Sequence, residues 1–392
     1  MASADGPQLT WMGKLLIVAI VAASLFGAYQ LFLKGRLVLP NMPSVGGKAV
    51  EIGLAYGTEK RQWMEWAVQE FAKTPSGRRI QINLYPMGSL EGAQAFMNND
   101  QRMTVWSPAS SMYKDVFVQQ WQYAHNNQQP ILKEEALALT PMVFVIWDER
   151  YQAFTKKYGT LNFTTMKKAL SNPGGWESIA GKPEWGVFKF GHTFPSQSNS
   201  GLMTLVLMGY EFHQTTRALT MSQLLDVDFQ NYMRTIETAV TGQQASTDTM
   251  MREMVLKGPS TYDCISVYEN VVIEYLKNAE GRWGTLHVVY PRRNMWNDNP
   301  YYIIDAAWTT SEQKKAAGEF LTFLMSTPVQ QQALTYGFRP GNPDVPVRGA
   351  QSPFTQYGKY GIQIDVPSTC ESPKPEVINN LLASWQRAHG TQ

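Results

Sequence analysis

Residues 190–212 read FGHTFPSQSNSGLMTLVLMGYEF, and the rest of the chain is organised around them. A strand-like run from Trp185 to Phe190 enters the stretch, and a turn follows at Thr193-Phe194-Pro195-Ser196. From Leu202 an apolar helical run extends to about Tyr210. Between turn and helix lies a polar knot, Ser196-Gln197-Ser198-Asn199-Ser200-Gly201. Ser and Asn favour helix starts because their side-chain oxygens accept from the unpaired first-turn amides. Gly201 lets the backbone approach its neighbours closely. Those amides, at the positive end of the helix dipole, also attract anions and oxygen-rich ligands. Two readings stand for the knot: an ordinary helix cap, or one wall of a binding site.

Working outward, strand-like segments at Ala49 to Ala55, Ile80 to Tyr85 and Thr104 to Trp106 each end in a polar turn. The first two lead into helical runs with apolar residues three and four apart. Strand, turn and helix in repetition is the pattern of a parallel α/β sheet. In such sheets ligands sit outside the carboxyl ends of the strands, where Thr58, Ser89, Ser107, Ser110 and Ser111 fall. Ala136 to Trp147 is a long apolar strand broken by Thr140-Pro141. Because proline cannot donate to a ladder, a kink or a crossing between domains is expected there. Downstream, Ser246-Thr247-Asp248 caps a short helix, and Tyr262 to Val267 forms a strand. Tyr268-Glu269 starts a further helix, and His287 to Tyr290 is a strand closed by Pro291. Three amphipathic helices follow, at Thr310 to Met325, Val329 to Tyr336 and about Glu376 to Ala388.

A chain of 392 residues is long enough for two domains. A net charge of +2 with 17% charged residues gives no nucleic-acid-binding signature. The five histidines are scattered and the two cysteines, Cys264 and Cys370, belong to no metal-type cluster, so no metal or cofactor is expected. The cysteines read as a buried thiol and a surface thiol, with a bridge to the C-terminal tail as the alternative. No P-loop or dinucleotide fingerprint occurs. The serine knot departs from the G-x-S-x-G pattern because Ser198 stands two residues before Ser200. An enzyme is therefore not expected, and a hydrolase is the least favoured function. Residues 15–33, LLIVAIVAASLFGAYQLFL, form an uncharged apolar run close to the ~20 residues of a bilayer span. We read it as an uncleaved single-pass anchor, followed by a Pro- and Gly-rich tether at 35–48. Lys34 and Arg36 on its exit side bias the body toward the cytoplasm, an effect that is weak for long translocated domains.

Several phrases together resemble one family. They are Thr140-Pro141 before an apolar strand, Trp176-Glu177-Ser178-Ile179, the run Gly191 to Gly201 with its P-x-x-S-N-S-G knot, Gly258-Pro259-Ser260-x-Tyr262-Asp263, and Gly337-Phe338-Arg339-Pro340. Over roughly residues 49 to 365 the chain resembles a bacterial extracellular solute-binding protein of the type II periplasmic-binding fold. Within that group it resembles the membrane-anchored branch near molybdate, sulfate and iron binders. The resemblance implies two α/β lobes joined by two hinge crossings, here near Leu139–Pro141 and Val289–Pro291, with a solute held between them. It divides the chain into an anchor (1–34), a linker (35–48), a first lobe (49–140 with 291–365), a second lobe (141–290) and a C-terminal tail and helix (366–392). It implies ligand contacts from Thr58, Ser107 and Ser110 in the first lobe, and from Ser196, Ser198, Asn199, Ser200 and Asp263 in the second. The implied partners are a small polar or anionic solute and a membrane transporter or receptor subunit. The implied location is the inner membrane, with the body in the periplasm or cell exterior. Asp263 and Glu269 are acidic, which an anion site does not need. Either they face elsewhere, or the ligand carries hydroxyls, amines or a cation. Glu269 suits a helix N-terminus; for Asp263 both readings stand. The competing function is an anchored scaffold on the same fold whose cleft holds no ligand.

Overall fold

Val50–Tyr56 (β1) and Ile80–Pro86 (β2) pair in parallel, from Val50 opposite Ile80 to Tyr56 opposite Pro86. They open the first sheet of a computed structural model that describes residues 49–279, 281, 283–366 and 368–389. The proposed span at 15–33 and tether at 35–48 lie outside the described residues. Among those described, no helix is long and apolar enough to cross a membrane. Val105–Ser107 (β3) pairs parallel to β1 on its other side. The sheet is completed by Ile131–Ala136 (β4) and the antiparallel Pro300–Ile304 (β10), in the order β2-β1-β3-β10-β4. Strand β1 is covered on both faces and is accordingly apolar throughout its second half. Strand β4 is the sheet edge, and its exposed Lys133, Glu134 and Glu135 suit an edge that must not pair with another chain. One face packs on helices Arg61–Ala72 and Ser311–Leu324 through Trp63, Phe71 and Phe320. Helices Ser89–Met97 and Lys114–Ala124 bring Phe96, Phe117 and Trp121 to Trp106.

The second sheet is built on Ala138–Trp147 (β5), nearly all of it buried. It pairs antiparallel with Cys264–Tyr268 (β7) and Leu286–Val289 (β8), and β7 pairs in parallel with the short Phe190–Gly191 (β6). The hydrophobic 199–212 helix packs across it with twelve buried residues from Asn199 to Tyr210, which is why this helix is apolar all round. The two-lobed α/β arrangement is thus present.

The crossings differ from those expected. Thr140-Pro141 lies inside β5, which continues through it without a break and pairs there with Asn297 and Trp296. The return, however, is not at Val289–Pro291, since Val289 still pairs with Phe144. It runs through Trp296–Asn297 (β9), opposite Thr140 and Pro141, and on into β10. A further crossing follows at Arg339–Pro340 (β11), paired with Leu139 and Ala138. Beyond it the chain packs on the second sheet, where the expectation kept it with the first as far as residue 365. Phe354, Tyr360, Ile362, Val377, Leu381 and Trp385 share the second sheet's core. Gly361 lies against the Val288 carbonyl, and that apolar burial draws the tail across.

Along the return the chain is held by asparagine side chains. Asn294 accepts from the Met142 amide (3.2 Å) and donates to its carbonyl (2.8 Å). Asn297 donates to the Thr140 carbonyl (3.1 Å), and Asn299 to that of Ala138 (3.1 Å). An amide side chain carries the same donor and acceptor as a peptide group. These residues therefore satisfy β5 main-chain groups where regular ladder pairing is interrupted.

Candidate functional site

Between the lobes the carboxyl ends of β1 and β2 face the polar knot across a small cavity of about 20 Å³. Its wall is made by helix starts. Thr58 and Glu59 open the turn that leads into the Arg61–Ala72 helix, and Gly88-Ser89 opens Ser89–Met97. Ser198-Asn199 opens Asn199–Phe212, and Ser246-Thr247 opens Thr247–Lys257. Tyr268 lies at the end of β7. Four helical N-termini from both lobes thus meet at one point, and such ends favour oxygen-rich or anionic groups. Ser198 makes no side-chain cap bond. The amides of Asn199, Ser200 and Gly201 have no hydrogen-bond acceptor among the described residues. The lobes touch beside the cavity, since a Cβ at Gly88 would stand 2.3 Å from the Gln197 carbonyl oxygen.

The implied site residues separate into groups. Thr58, Ser198 and Asn199 line the cavity. Asn199 is 2% exposed; its Nδ2 donates to Tyr268 Oη (2.9 Å) and Asn297 Oδ1 (2.7 Å), and its Oδ1 has no partner. Ser200 lies one layer deeper, its Oγ 2.7 Å from both Thr193 Oγ1 and Thr247 Oγ1 and 3.2 Å from Ser198 Oγ. Gly201 serves internal packing rather than a ligand, because a Cβ there would stand 2.1 Å from the Thr193 carbonyl oxygen. Ser110 caps a short turn by accepting from the Met112 amide. Ser107 is buried with an unpartnered hydroxyl but is not part of the cavity wall. Ser196 is half-buried and also off the wall.

Asp263 stands elsewhere. It precedes β7, at the end opposite Tyr268, and is fully buried. Its carboxylate accepts from Arg150 Nε (3.0 Å), Trp176 Nε1 (2.9 Å) and the Lys189 amide (2.7 Å), with Lys189 Nζ at 3.5 Å. Arg150 in turn lies 3.2 Å from the Trp185 ring centroid. Burial pushes the Asp263 carboxyl above its ordinary pKa, against the pull of these donors. Every lone pair that faces a donor is used for structure, so Asp263 does not belong to the cleft. Glu269 does open the Glu269–Ala279 helix. It is also the buried partner of Arg339 in the Gly337-Phe338-Arg339-Pro340 phrase, at 2.8 and 2.7 Å, and accepts from Tyr290 Oη. A third buried pair joins His192 to Glu237 at 2.9 Å, and Trp385 of the C-terminal helix donates to the same carboxylate. Burial alone would lower the His192 pKa, but Glu237 and the Thr193 carbonyl outweigh it and hold it above the ordinary value.

Reasoning from the sequence missed Glu59, which lines the cavity, and Lys60, which is completely buried behind it. It placed Ser89 correctly at a strand end, and Tyr268 only as the start of a helix. The Gly57-Thr58-Glu59-Lys60 turn carried no motif to distinguish Glu59 from a solvated charge. The two cysteines stand as free thiols, Cys264 buried and Cys370 partly so. Among the described residues no group of His, Cys, Asp and Glu is arranged to hold a metal.

A family model described as bacterial extracellular solute-binding protein matches residues 52–339. No curated protein matches the chain significantly. Among solved structures, the sulfate-binding protein SubI from Mycobacterium tuberculosis is 14% identical over 88% of this chain and 99% of its own, with a TM-score of 0.56. Iron-bound HitA from Pseudomonas aeruginosa is 12% identical over 86% and 99%, with a TM-score of 0.57. A Streptococcus pneumoniae solute-binding protein in complex with the blood group A-trisaccharide is 14% identical over 87% and 98%, with a TM-score of 0.56. At these identities the likeness is one of fold, and the ligands named span anion, metal and sugar.

Proposed function

We propose, from the premise that this chain belongs to the bacterial extracellular solute-binding protein family, that it captures a small polar or anionic solute between its lobes. The family supports a body outside the cytoplasm. We place that body on the inner membrane through a single span at 15–33, from which it passes solute to a transporter or receptor subunit. The observation that carries the reading is the meeting of four helix N-termini from both lobes on one cavity. Thr58, Ser89, Ser198, Asn199 and Thr247 are the contacts we assign, with Glu59 and Tyr268 beside them.

The cavity of about 20 Å³ has room for one water, so entry of a solute requires the lobes to part at Gly88 and Gln197. The three crossings supply the hinge, because lobes joined by few residues rotate about them. That small volume is also the observation favouring the second reading, a scaffold that keeps the fold and binds a protein partner instead. A thermal-shift screen over oxyanions, sugars, amino acids and metal ions separates the two. A solute at a hundred times its Kd stabilises the native state by about 2.7 kcal/mol. The solute that does so should also change the radius of gyration by small-angle scattering, as the lobes of the free protein part and close. No stabilisation by any class, with a radius that never changes, would leave the scaffold.

A further inference from the structure

We infer that the cavity selects solutes carrying hydrogen-bond donors beside their oxygens, and that Glu59 is the residue that sets this selectivity. The inference rests on the solute-binding reading above and narrows it. Glu59 lines the cavity and is 8% exposed. Its Oε1 lies 2.5 Å from Lys60 Nζ, and its Oε2 makes no hydrogen bond with the described residues. Lys60 cannot turn to a solute in its place. An ammonium has three donors, and those of Lys60 are directed at Glu59, the Pro108 carbonyl (3.1 Å) and Asn299 Oδ1 (3.0 Å). Lys60 balances the charge of Glu59, and the second carboxylate oxygen of this cavity-lining residue keeps its acceptor capacity.

The opposite lobe repeats the pattern. Both Nδ2 hydrogens of Asn199 are engaged, by Tyr268 and Asn297, which fixes the amide with Oδ1 as its buried, unpartnered acceptor. The cavity therefore has an acceptor from each lobe set among the donors of four helix starts. A bare oxyanion satisfies the amides but meets the two acceptors with lone pairs. A buried polar group left unpaired in this way weakens binding on the order of tenfold or more. A hydroxylated or ammonium-bearing solute, such as a hydroxy acid, an amino acid or a polyol, satisfies both sets.

Acetate, glycolate and glycine test this directly, since they share a carboxylate and differ in a methyl, a hydroxyl or an ammonium group. Sulfate is the acceptor-only tetrahedral arm, and sugars extend the hydroxyl arm. Titration calorimetry on the full chain in detergent should find glycolate, glycine or a sugar bound at least tenfold tighter than acetate and sulfate. In Glu59→Gln the advantage of an ammonium over a hydroxyl should shrink about tenfold, which tells the two donor types apart. The thermal midpoint of the unliganded variant checks its folding, and the wild-type ranking decides alone if it fails. Sulfate or acetate binding as tightly as their donor-bearing counterparts would overturn the inference and leave the solute-binding reading intact. Failure of every solute would overturn that reading and the inference with it.

Discussion

Changing Asp263 to Asn leaves Arg150, which is 7% exposed, without its carboxylate, while the hydrogen bonds from Trp176 and Lys189 face a neutral group. Breaking a buried pair from one side costs about 3–5 kcal/mol because the remaining charge is uncompensated. Urea denaturation should show that loss. Solute affinity in the folded variant should be unchanged, because β7 separates Asp263 from the Tyr268 end by roughly 17 Å at ~3.3 Å per residue. An affinity loss without a stability loss would return Asp263 to the site. Glu274 is a second titratable group with a distinct signature. It lies on a second-lobe helix and accepts from Gln62 of the first lobe. Burial, then repulsion from Asp248, pushes its carboxyl up to about 7. The folded protein therefore holds a proton that the unfolded chain, near pKa 4.3, releases. Stability from this group is gained as pH falls from above 7 toward 4.5 and lost as pH rises through 7. For a partly exposed carboxyl we expect on the order of 1–2 kcal/mol. Urea midpoints at pH 5 and pH 8 should differ less in Glu274→Gln than in the wild type. Neither assignment could be made from residue types, because a carboxylate's role depends on partners distant in sequence, from Asp248 to Gln62 for Glu274 and from Lys189 to Arg150 for Asp263.

At the scale of elements, the asparagine row at 294, 297 and 299 holds the returning chain along the first half of β5. Asn297 joins the Thr140 carbonyl to Asn199 of the cavity wall. Asn297→Ala takes a donor from the buried Thr140 carbonyl and leaves one of the two Nδ2 hydrogens of Asn199 without an acceptor, at roughly 1–3 kcal/mol each. We expect a stability loss of about 2–4 kcal/mol, and weaker solute binding because Asn199 loses the contact that fixes its amide. Denaturation together with calorimetry checks both. Unchanged affinity in a folded variant would show that Asn199 keeps its orientation without this crossing. The longer elements were legible in advance. The strands expected at Ala49 to Ala55 and Ile80 to Tyr85 are found at Val50–Tyr56 and Ile80–Pro86, because apolar runs ending in polar turns are local signals. Strands β4, β9, β10 and β11 were not foreseen. β4 carries three charges in six residues, β9 and β11 are two residues long, and β10 is a five-residue run opened by a proline, so their pairing depends on the neighbour rather than on their own pattern.

For the whole molecule, the span proposed at 15–33 predicts that the full chain sediments with membranes and that a chain starting near Ser44 does not. Protease outside intact spheroplasts should digest the body if it faces the periplasm. Protection until lysis would instead favour the cytoplasmic bias of Lys34 and Arg36. The α/β alternation of the first lobe and the polar knot at a helix start were legible in the sequence alone, whereas the two-lobed plan came with the family resemblance and the break expected at Thr140-Pro141 is absent from the continuous β5. Hydrophobic period and turn chemistry act over a few residues and need no partner. The tertiary structure alone decided that the tail crosses to the second sheet, that Asp263 and Glu269 are consumed by Arg150 and Arg339, and that Glu59 lines the cavity. Each outcome turns on which distant groups share a buried space, where an ion pair or an unpaired acceptor exists only once the chain has closed around it.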